Sequence, residues 1–210
     1  MGLLEKARKL AARRKTVKTS KTKKAPAKTI EAQLSALQKE YPEEWIALAE
    51  IAPENSLELL LSSIKALTDR DYTVFLVSSN LPCITLKSHF KEKGIDAGRV
   101  YLVDLVCAAQ GMKPEVSQVF HLDGLSALTN ASIVLTKLAD SITGKRVIIL
   151  DSINNLLLHN DAGVLARFVH GLINKMRLTG VSGLLFSTKG ETDKEARNEI
   201  AQLCDETISL

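Results

Sequence analysis

Short, nearly continuous apolar runs separated by helical patterns constrain this chain more than any other feature of its sequence. Two of them, residues 73–79 and 146–150, are rich in β-branched residues, and a third, residues 182–187, is apolar between Ser182 and Ser187. Such runs are typical of strands that are covered on both faces. Because helical segments lie between them, consecutive strands are joined by crossover connections and run parallel. The sequence therefore predicts a three-layer, doubly wound α/β fold with a mostly parallel sheet.

The same reading extends over the chain from Thr29 to its last residue. The predicted strands are 45–51, 73–79, 99–104, 118–122, 146–150, 182–187 and 206–210. The predicted helices are 29–39, 56–67, 83–93, 126–142, 162–178 and 193–203. A chain of 210 residues is long enough for one domain with a sizeable core. We therefore expect residues 29–210 to form a single domain.

Residues 1–28 differ sharply from this domain in charge. They carry a net charge of +10, whereas the whole chain carries +4, so residues 29–210 carry −6. Small and apolar residues recur at helical spacing between residues 3 and 11, which predicts a short basic amphipathic helix. Residues 15–28 are rich in Lys, Thr, Ser and Ala and predict a flexible linker. The candidate polyanion-binding residues of this tail are Lys6, Arg8, Lys9, Arg13, Arg14 and Lys15.

Four roles remain open for the tail. It can bind nucleic acid by displacing counterions from phosphates. It can lie on an anionic membrane, or dock the apolar face of its helix on a protein partner. It can also be a solvated segment that only improves solubility.

The cysteines and histidines predict neither a disulfide framework nor a metal site. Cys83, Cys107 and Cys204 lack CxxC spacing, and the four histidines are scattered along the chain. Sparse, unpaired cysteines are typical of buried thiols in a reducing compartment, so we expect a cytoplasmic protein. His159 and His170 lie close in sequence to Asp151, a candidate site residue, but a structural histidine is the default interpretation.

In parallel sheets, ligands bind at the carboxyl ends of the strands, which directs attention to Asp151. The segment RVIILDS (146–152) is an apolar strand that ends in Asp151 and Ser152. In P-loop hydrolases, an acid at this place holds the Mg²⁺ that bridges the nucleotide phosphates. An Asp after a strand can also cap the following loop through backbone hydrogen bonds. The pattern alone leaves both roles open.

The order of the motifs resembles the RecA superfamily, in particular its archaeal and bacterial KaiC-like branch. The similarity covers about residues 45–210 and rests on four segments: VFLVSSN (74–80) with FKEKGID (90–96), DSINNLL (151–157), GVSGLLFST (180–188) and CDETISL (204–210). The resemblance implies a RecA-like P-loop NTPase fold and ATP with Mg²⁺ as the ligand. It also implies surfaces by which such domains pack side by side.

The chain departs from this family at the phosphate-binding loop. Family members carry GxxxxGK[ST] between the first strand and the next helix, whereas residues 50–56 contain neither Gly nor Lys. Pro53 removes one backbone N–H, and Glu54 adds negative charge where phosphates would lie. The second strand ends in Ser78, Ser79 and Asn80, without the carboxylate that family hydrolases use to activate water.

These departures disfavour ATP and Mg²⁺ as ligands, and we expect no cofactor. If nucleotide binding is retained, Ser56, Asp151 and Ser152 are the residues expected to contact it, with Asp151 as the only metal ligand. No small-molecule substrate is indicated.

The leading prediction is a degenerate, non-catalytic RecA/KaiC-like protein that acts through macromolecular interactions, in signalling or in DNA recombination and repair. It would bind a protein partner or associate with itself. The alternatives are a divergent ATPase with a non-standard phosphate loop, and a module that binds nucleic acid or a membrane surface through its tail.

Overall fold

A computed structural model describes residues 29–112, 114–189 and 194–210. The predictions for the basic tail, residues 1–28, lie outside these described residues.

Seven parallel strands form one sheet in the described part of the chain. They are β1 (Ile46–Ile51), β2 (Thr73–Ser78), β3 (Val100–Asp104), β4 (Val119–His121), β5 (Arg146–Leu150), β6 (Ser182–Thr188) and β7 (Glu206–Ser209). Their spatial order is β4-β3-β2-β5-β6-β1-β7. The prediction of a mostly parallel sheet is confirmed.

Seven α-helices accompany the sheet within the described residues. They are α1 (Ile30–Glu40), α2 (Ser56–Thr68), α3 (Cys83–Lys93), α4 (Leu128–Ser141), α5 (Ile153–His159), α6 (Ala162–Thr179) and α7 (Lys194–Leu203). None of these helices has the length and apolar character that crossing a bilayer demands.

The helices cover the sheet on both faces, which gives the predicted three layers. One core contains side chains of α1, α2 and α3 together with alternate residues of the strands, such as Ala47, Leu76 and Ile149. The other contains side chains of α4 to α7 and the intervening strand residues, such as Leu48 and Val77. Because both faces of each central strand are buried, the strands had to be apolar throughout.

Helix ends follow the local signals of the sequence. The Thr29 hydroxyl accepts a hydrogen bond from the Ala32 amide at 3.4 Å and caps α1. Gly94 ends α3 in the left-handed conformation, with φ of 63°. No helix or strand was predicted for the segment that follows Asp151 and Ser152. This segment forms the helix α5.

The strand order decides which loops meet at the carboxyl edge of the sheet. β5 lies between β2 and β6, and β6 lies between β5 and β1. The β1–α2 loop, the β2–α3 loop and the β5–α5 turn therefore converge there.

Candidate functional site

A cleft of about 360 Å³ opens at the carboxyl ends of β1, β2, β5 and β6. Its apolar lining consists of Pro53, Leu57, Leu60, Leu81 and Leu158. Its polar lining consists of Ser56, Asn80, Asp151, Ser152, Asn154, Asn155 and Thr188. The three residues predicted to contact a nucleotide, Ser56, Asp151 and Ser152, thus lie in one cleft.

The β1–α2 loop on one side of the cleft is a tight turn. Residues Pro53–Asn55 form a single turn of 3₁₀ helix. The Asn55 amide donates to the Ala52 carbonyl at 3.1 Å, and the Ser56 amide donates to the Pro53 carbonyl. Proline has no amide hydrogen. Three positions of this turn, Pro53, Asn55 and Ser56, therefore offer no free N–H to the cleft.

Asp151 lies opposite this turn and is 6% exposed. Its carboxyl group accepts hydrogen bonds from the Ser79 amide at 2.9 and 3.0 Å and from the Ser79 hydroxyl at 2.5 Å. The Asn80 amide donates to it at 3.2 Å. The donors come from the β2–α3 loop, and not from the residues that follow Asp151 in sequence. Asp151 therefore orders the loop of the neighbouring strand.

Burial raises the pKa of Asp151 above the usual value for an aspartic acid, and the hydrogen bonds from Ser79 and Asn80 oppose this rise. The balance of the two effects favours the protonated carboxyl in the folded protein more than in the unfolded chain.

The other polar side chains of the β5–α5 segment are also bonded within the protein. The Ser152 hydroxyl accepts from the Asn155 amide at 3.0 Å and caps α5. The Asn154 side chain accepts from the Thr188 amide at 2.8 Å and donates to the Thr188 carbonyl at 3.2 Å. The Asn155 side chain donates to the Ser79 carbonyl. These bonds tie α5 to the ends of β6 and β2, and they leave the cleft few polar groups for a ligand.

The leucines give the cleft its accessible apolar surface. Leu57 and Leu81 are half-buried, and Leu158 at the rim is 80% exposed. No lysine, arginine or histidine is among the described residues that line the cleft. His159 and His170, which lie near the site in sequence, are not lining residues and are exposed on the surface.

Sequence reasoning missed the leucine wall and the two asparagines. The signal was present in INNLLLH (153–159), where Asn154, Asn155 and Leu158 fall on one side of a short helix. The segment was too short and too apolar to be recognised as a helix with a polar side.

A parallel seven-stranded sheet with helices on both faces, and a cleft at its carboxyl edge above the β1–α2 loop, defines a RecA-like α/β fold. Comparison with solved structures supports this class. The chain is similar to the KaiC-like protein PH0186 of the hyperthermophilic archaeon Pyrococcus horikoshii OT3, with a TM-score of 0.54 and 14% identity over 76% of this chain and 68% of the other.

It is also similar to an uncharacterized protein of Pyrococcus horikoshii, PH0321, whose structure contains an unknown peptide. Here the TM-score is 0.59, with 15% identity over 83% of this chain and 82% of the other. No protein-family model matches the sequence, and no curated protein matches it. The chain therefore has the RecA/KaiC-like fold, at a sequence identity that fixes the fold alone.

Proposed function

We propose that this chain is a RecA/KaiC-like domain that does not hydrolyse nucleotide and acts by binding a protein segment in its cleft. The observation that carries the proposal is the hydrogen bonding of the Asp151 carboxyl group. The acid that would hold Mg²⁺ instead accepts hydrogen bonds from Ser79 and Asn80 in the neighbouring loop.

The charge and geometry of the cleft argue against a triphosphate. Phosphate sites use free amides, a lysine and glycines that allow close backbone approach. The β1–α2 turn uses the Asn55 and Ser56 amides internally, and Glu54 is exposed beside them. Since the lining residues bring no cation, nothing there would offset the phosphate charge.

The same lining suits an apolar side chain of a partner. Leu57, Leu60, Leu81 and Leu158 surround a cavity large enough for a bulky side chain, and the exposed Leu158 extends the apolar surface outward. Protein interfaces gather their binding energy in such pockets. The fold neighbour PH0321 contains an unknown peptide, which supports a peptide-type ligand for this fold.

As part of this proposal, the protein acts in signalling or in DNA recombination and repair, a role that the resemblance to RecA and KaiC relatives supports. The bound segment would belong to a protein partner. A second copy of this chain is the other source that the experiment has to distinguish.

The proposal that the domain does not bind or hydrolyse nucleotide is tested by titrating the full chain with labelled ATP and Mg²⁺. We expect no binding in the micromolar range and no hydrolysis. Micromolar affinity, with turnover that is abolished in Asp151→Asn, would contradict the proposal and favour the divergent ATPase.

The proposal that the cleft binds a protein segment is tested by selecting peptides from a displayed random library on the full chain. Leu158→Asp is expected to weaken the selected peptides by about 10- to 100-fold, because burying a leucine is worth about 1.5–3 kcal/mol. Leu178→Asp is the matched control, since Leu178 is 85% exposed and lies outside the cleft. Equal losses in both variants would refute binding at the cleft.

Analytical ultracentrifugation of the same variants shows whether the segment bound in the cleft belongs to a different protein or to a second copy of this chain. Concentration-dependent dimers that disappear in Leu158→Asp would show that a second copy occupies the cleft. A monomer that still binds selected peptides would show that a different protein does.

A further inference from the structure

Four potential metal ligands lie together away from the cleft, near the edge of the sheet formed by β3 and β4. They are Cys83 at the start of α3, Asp104 at the end of β3, Cys107 in the following loop and His121 at the end of β4. The ligand atoms that these side chains offer lie within 4.8 Å of one another. Cys83, Asp104 and Cys107 are buried, and the His121 side chain is 12% exposed.

The fold, and not sequence spacing, brings the four side chains together. In the parallel register, Ser78 pairs with Asp104 and Asp104 pairs with His121. The carboxyl ends of β2, β3 and β4 are therefore adjacent, and the loop that leaves β2 carries Cys83 to the same place. The expectation of no metal site rested on the missing CxxC motif, which a site built from three strand ends does not need.

The two sulfur atoms have the separation of thiolates that share a tetrahedral zinc. Sγ of Cys83 and Sγ of Cys107 are 3.8 Å apart. A disulfide needs about 2.05 Å. Two ligands at a Zn–S distance of about 2.3 Å lie about 3.8 Å apart when the geometry is tetrahedral.

The second observation is the hydrogen bonding of His121. Nε2 lies 2.9 Å from the Pro114 carbonyl oxygen, which can only accept, so this nitrogen carries a hydrogen. Nδ1 lies 3.0 Å from Oδ2 of Asp104, which is a second acceptor. A neutral imidazole has only one N–H, so a cation at Nδ1, either a second proton or a metal ion, satisfies this pair. A backbone carbonyl that holds the other ring N–H is the usual support of a metal-binding histidine.

Asp104 is oriented in the same way. Its Oδ1 accepts hydrogen bonds from the amides of Val106 at 2.8 Å and Cys107 at 3.1 Å. Oδ2 is thereby directed toward His121. Both the carboxylate and the imidazole are held by backbone groups, which reduces the cost of ordering them around an ion.

We propose that Cys83, Asp104, Cys107 and His121 bind one Zn²⁺ ion in a structural site. Two sulfurs, one imidazole nitrogen and one carboxylate oxygen are a donor set that suits tetrahedral zinc, and four protein ligands leave no position for a substrate. The ion would replace the contact between Nδ1 and Oδ2. It would join α3 to the ends of β3 and β4.

Zinc binding at this site displaces protons from the two cysteine side chains. Burial raises the pKa of Cys83 to about 12, with further contributions from the contact with Cys107 and the charge of Asp104, and burial also raises the pKa of Cys107. Both side chains are thiols in the metal-free protein. Zinc binding therefore forms two Zn–S bonds, breaks two S–H bonds and releases two protons to solvent.

The site has both a structural purpose and an entry route. β4 has only three residues and lies at the edge of the sheet, where pairing with β3 alone holds it. An ion that links its last residue to α3 would stabilise this edge. A surface groove of about 450 Å³, lined by Pro114, Ser117 and His121 among others, reaches the His121 side of the cluster from solvent.

The experiment uses the untagged full chain, stripped of metal with a chelator under reducing conditions and supplied with zinc. Elemental analysis after gel filtration is expected to give one zinc per chain, with a dissociation constant in the nanomolar range or tighter by competition with a chelating dye. Cobalt in place of zinc is expected to give the visible bands of a tetrahedral site and a thiolate-to-cobalt charge-transfer band.

Variants identify the ligands. Cys107→Ser and His121→Ala are each expected to weaken zinc by more than about 100-fold, since even indirect partners of a ligand contribute 10- to 100-fold. Cys204→Ser and His89→Ala, which alter residues outside the cluster, are expected to bind as the wild type does. Circular dichroism shows whether each variant is folded.

Three results of the zinc and cobalt measurements would overturn the proposal, and the first two need no variant. They are substoichiometric zinc in the wild-type chain, an octahedral cobalt spectrum without the thiolate band, and unchanged affinity in Cys107→Ser. A Cys83–Cys107 disulfide in protein purified under reducing conditions would also overturn it, because it would remove two of the ligands.

Discussion

Replacement of Asp151 distinguishes a structural carboxyl from a metal ligand, because the two roles predict opposite changes in stability. An acid kept for Mg²⁺ is incompletely compensated when no ion is bound, and its removal commonly leaves a protein as stable as before or more stable. Asp151 instead accepts hydrogen bonds from the Ser79 amide, the Ser79 hydroxyl and the Asn80 amide in a buried environment. We therefore expect its replacement to destabilise the fold.

The magnitude follows from the donors that lose their acceptor. Each buried donor left without a partner costs about 1–3 kcal/mol, so Asp151→Ala is expected to lower the free energy of unfolding by about 3–5 kcal/mol. Asp151→Asn keeps one acceptor oxygen for the Ser79 donors but turns an NH₂ group toward the Asn80 amide. For this variant we expect a loss of about 1–3 kcal/mol.

Urea unfolding measures both losses, with Trp45 as the probe. Trp45 is the only tryptophan of the chain and is 1% exposed, so its fluorescence will report unfolding of the core. The slope of the transition should stay constant while its midpoint falls. If Asp151→Asn were as stable as the wild type, the carboxyl would not be a structural element and the reasoning would be refuted.

The pH dependence provides an independent check with a defined sign. Burial raises the pKa of Asp151, so the folded state binds the proton more tightly than the unfolded chain. The stability that this proton contributes is fully present below the unfolded pKa of about 3.9 and is lost as pH rises through the folded value. The stability gap between wild type and Asp151→Asn should therefore narrow as pH rises above about 4, and a widening gap would contradict the assigned direction.

Three further changes have defined outcomes. Arg146 donates to the Ala139, Ile142 and Thr179 carbonyls at the ends of α4 and α6, so Arg146→Ala should cost about 2–4 kcal/mol in urea unfolding, with Arg146→Lys intermediate. A Cβ at Gly183 would lie 2.9 Å from the Met176 sulfur, so Gly183→Ala should cost about 1 kcal/mol or more, and a double-mutant cycle should show a smaller cost for Gly183→Ala in a Met176→Ala background. Any affinity for duplex DNA should reside in the basic tail, because residues 29–210 carry −6. Gel-shift assays should then show binding that weakens steeply with salt and is absent after deletion of residues 1–28, whereas equal binding by the truncated chain would refute this.

The strands and most helices could be predicted because burial of both faces of the sheet requires apolar runs that are visible in the sequence. The run at residues 146–150 is apolar after Arg146, and its predicted bounds agree with the structure. Helix α5 could not be predicted in the same way. Its seven residues give too few turns for a helical period to differ from a general apolar stretch.

Three residues of the candidate site were predicted to lie together, but their hydrogen bonds were not predicted. The rule that ligands bind at strand ends brought Ser56, Asp151 and Ser152 together, and they share one cleft. The partner of Asp151 is Ser79, more than seventy positions earlier, and only the adjacency of β5 and β2 makes them neighbours. The cysteine–histidine cluster was missed for the same reason, because its members are neighbours only in the folded sheet.

One physical requirement links the closed β1–α2 turn to the bonded state of Asp151. A buried carboxyl is costly unless hydrogen bonds or a cation compensate it, and in a nucleotide site Mg²⁺ supplies that compensation. In this chain the Ser79 amide and hydroxyl donate hydrogen bonds to the Asp151 carboxyl and supply such compensation. A double-mutant cycle of Ser79→Ala and Asp151→Asn should then show coupling of about 1–3 kcal/mol, because each change removes a partner of the other. Strictly additive losses would mean that the two side chains do not depend on each other, and Asp151 would have to owe its burial to some other contact.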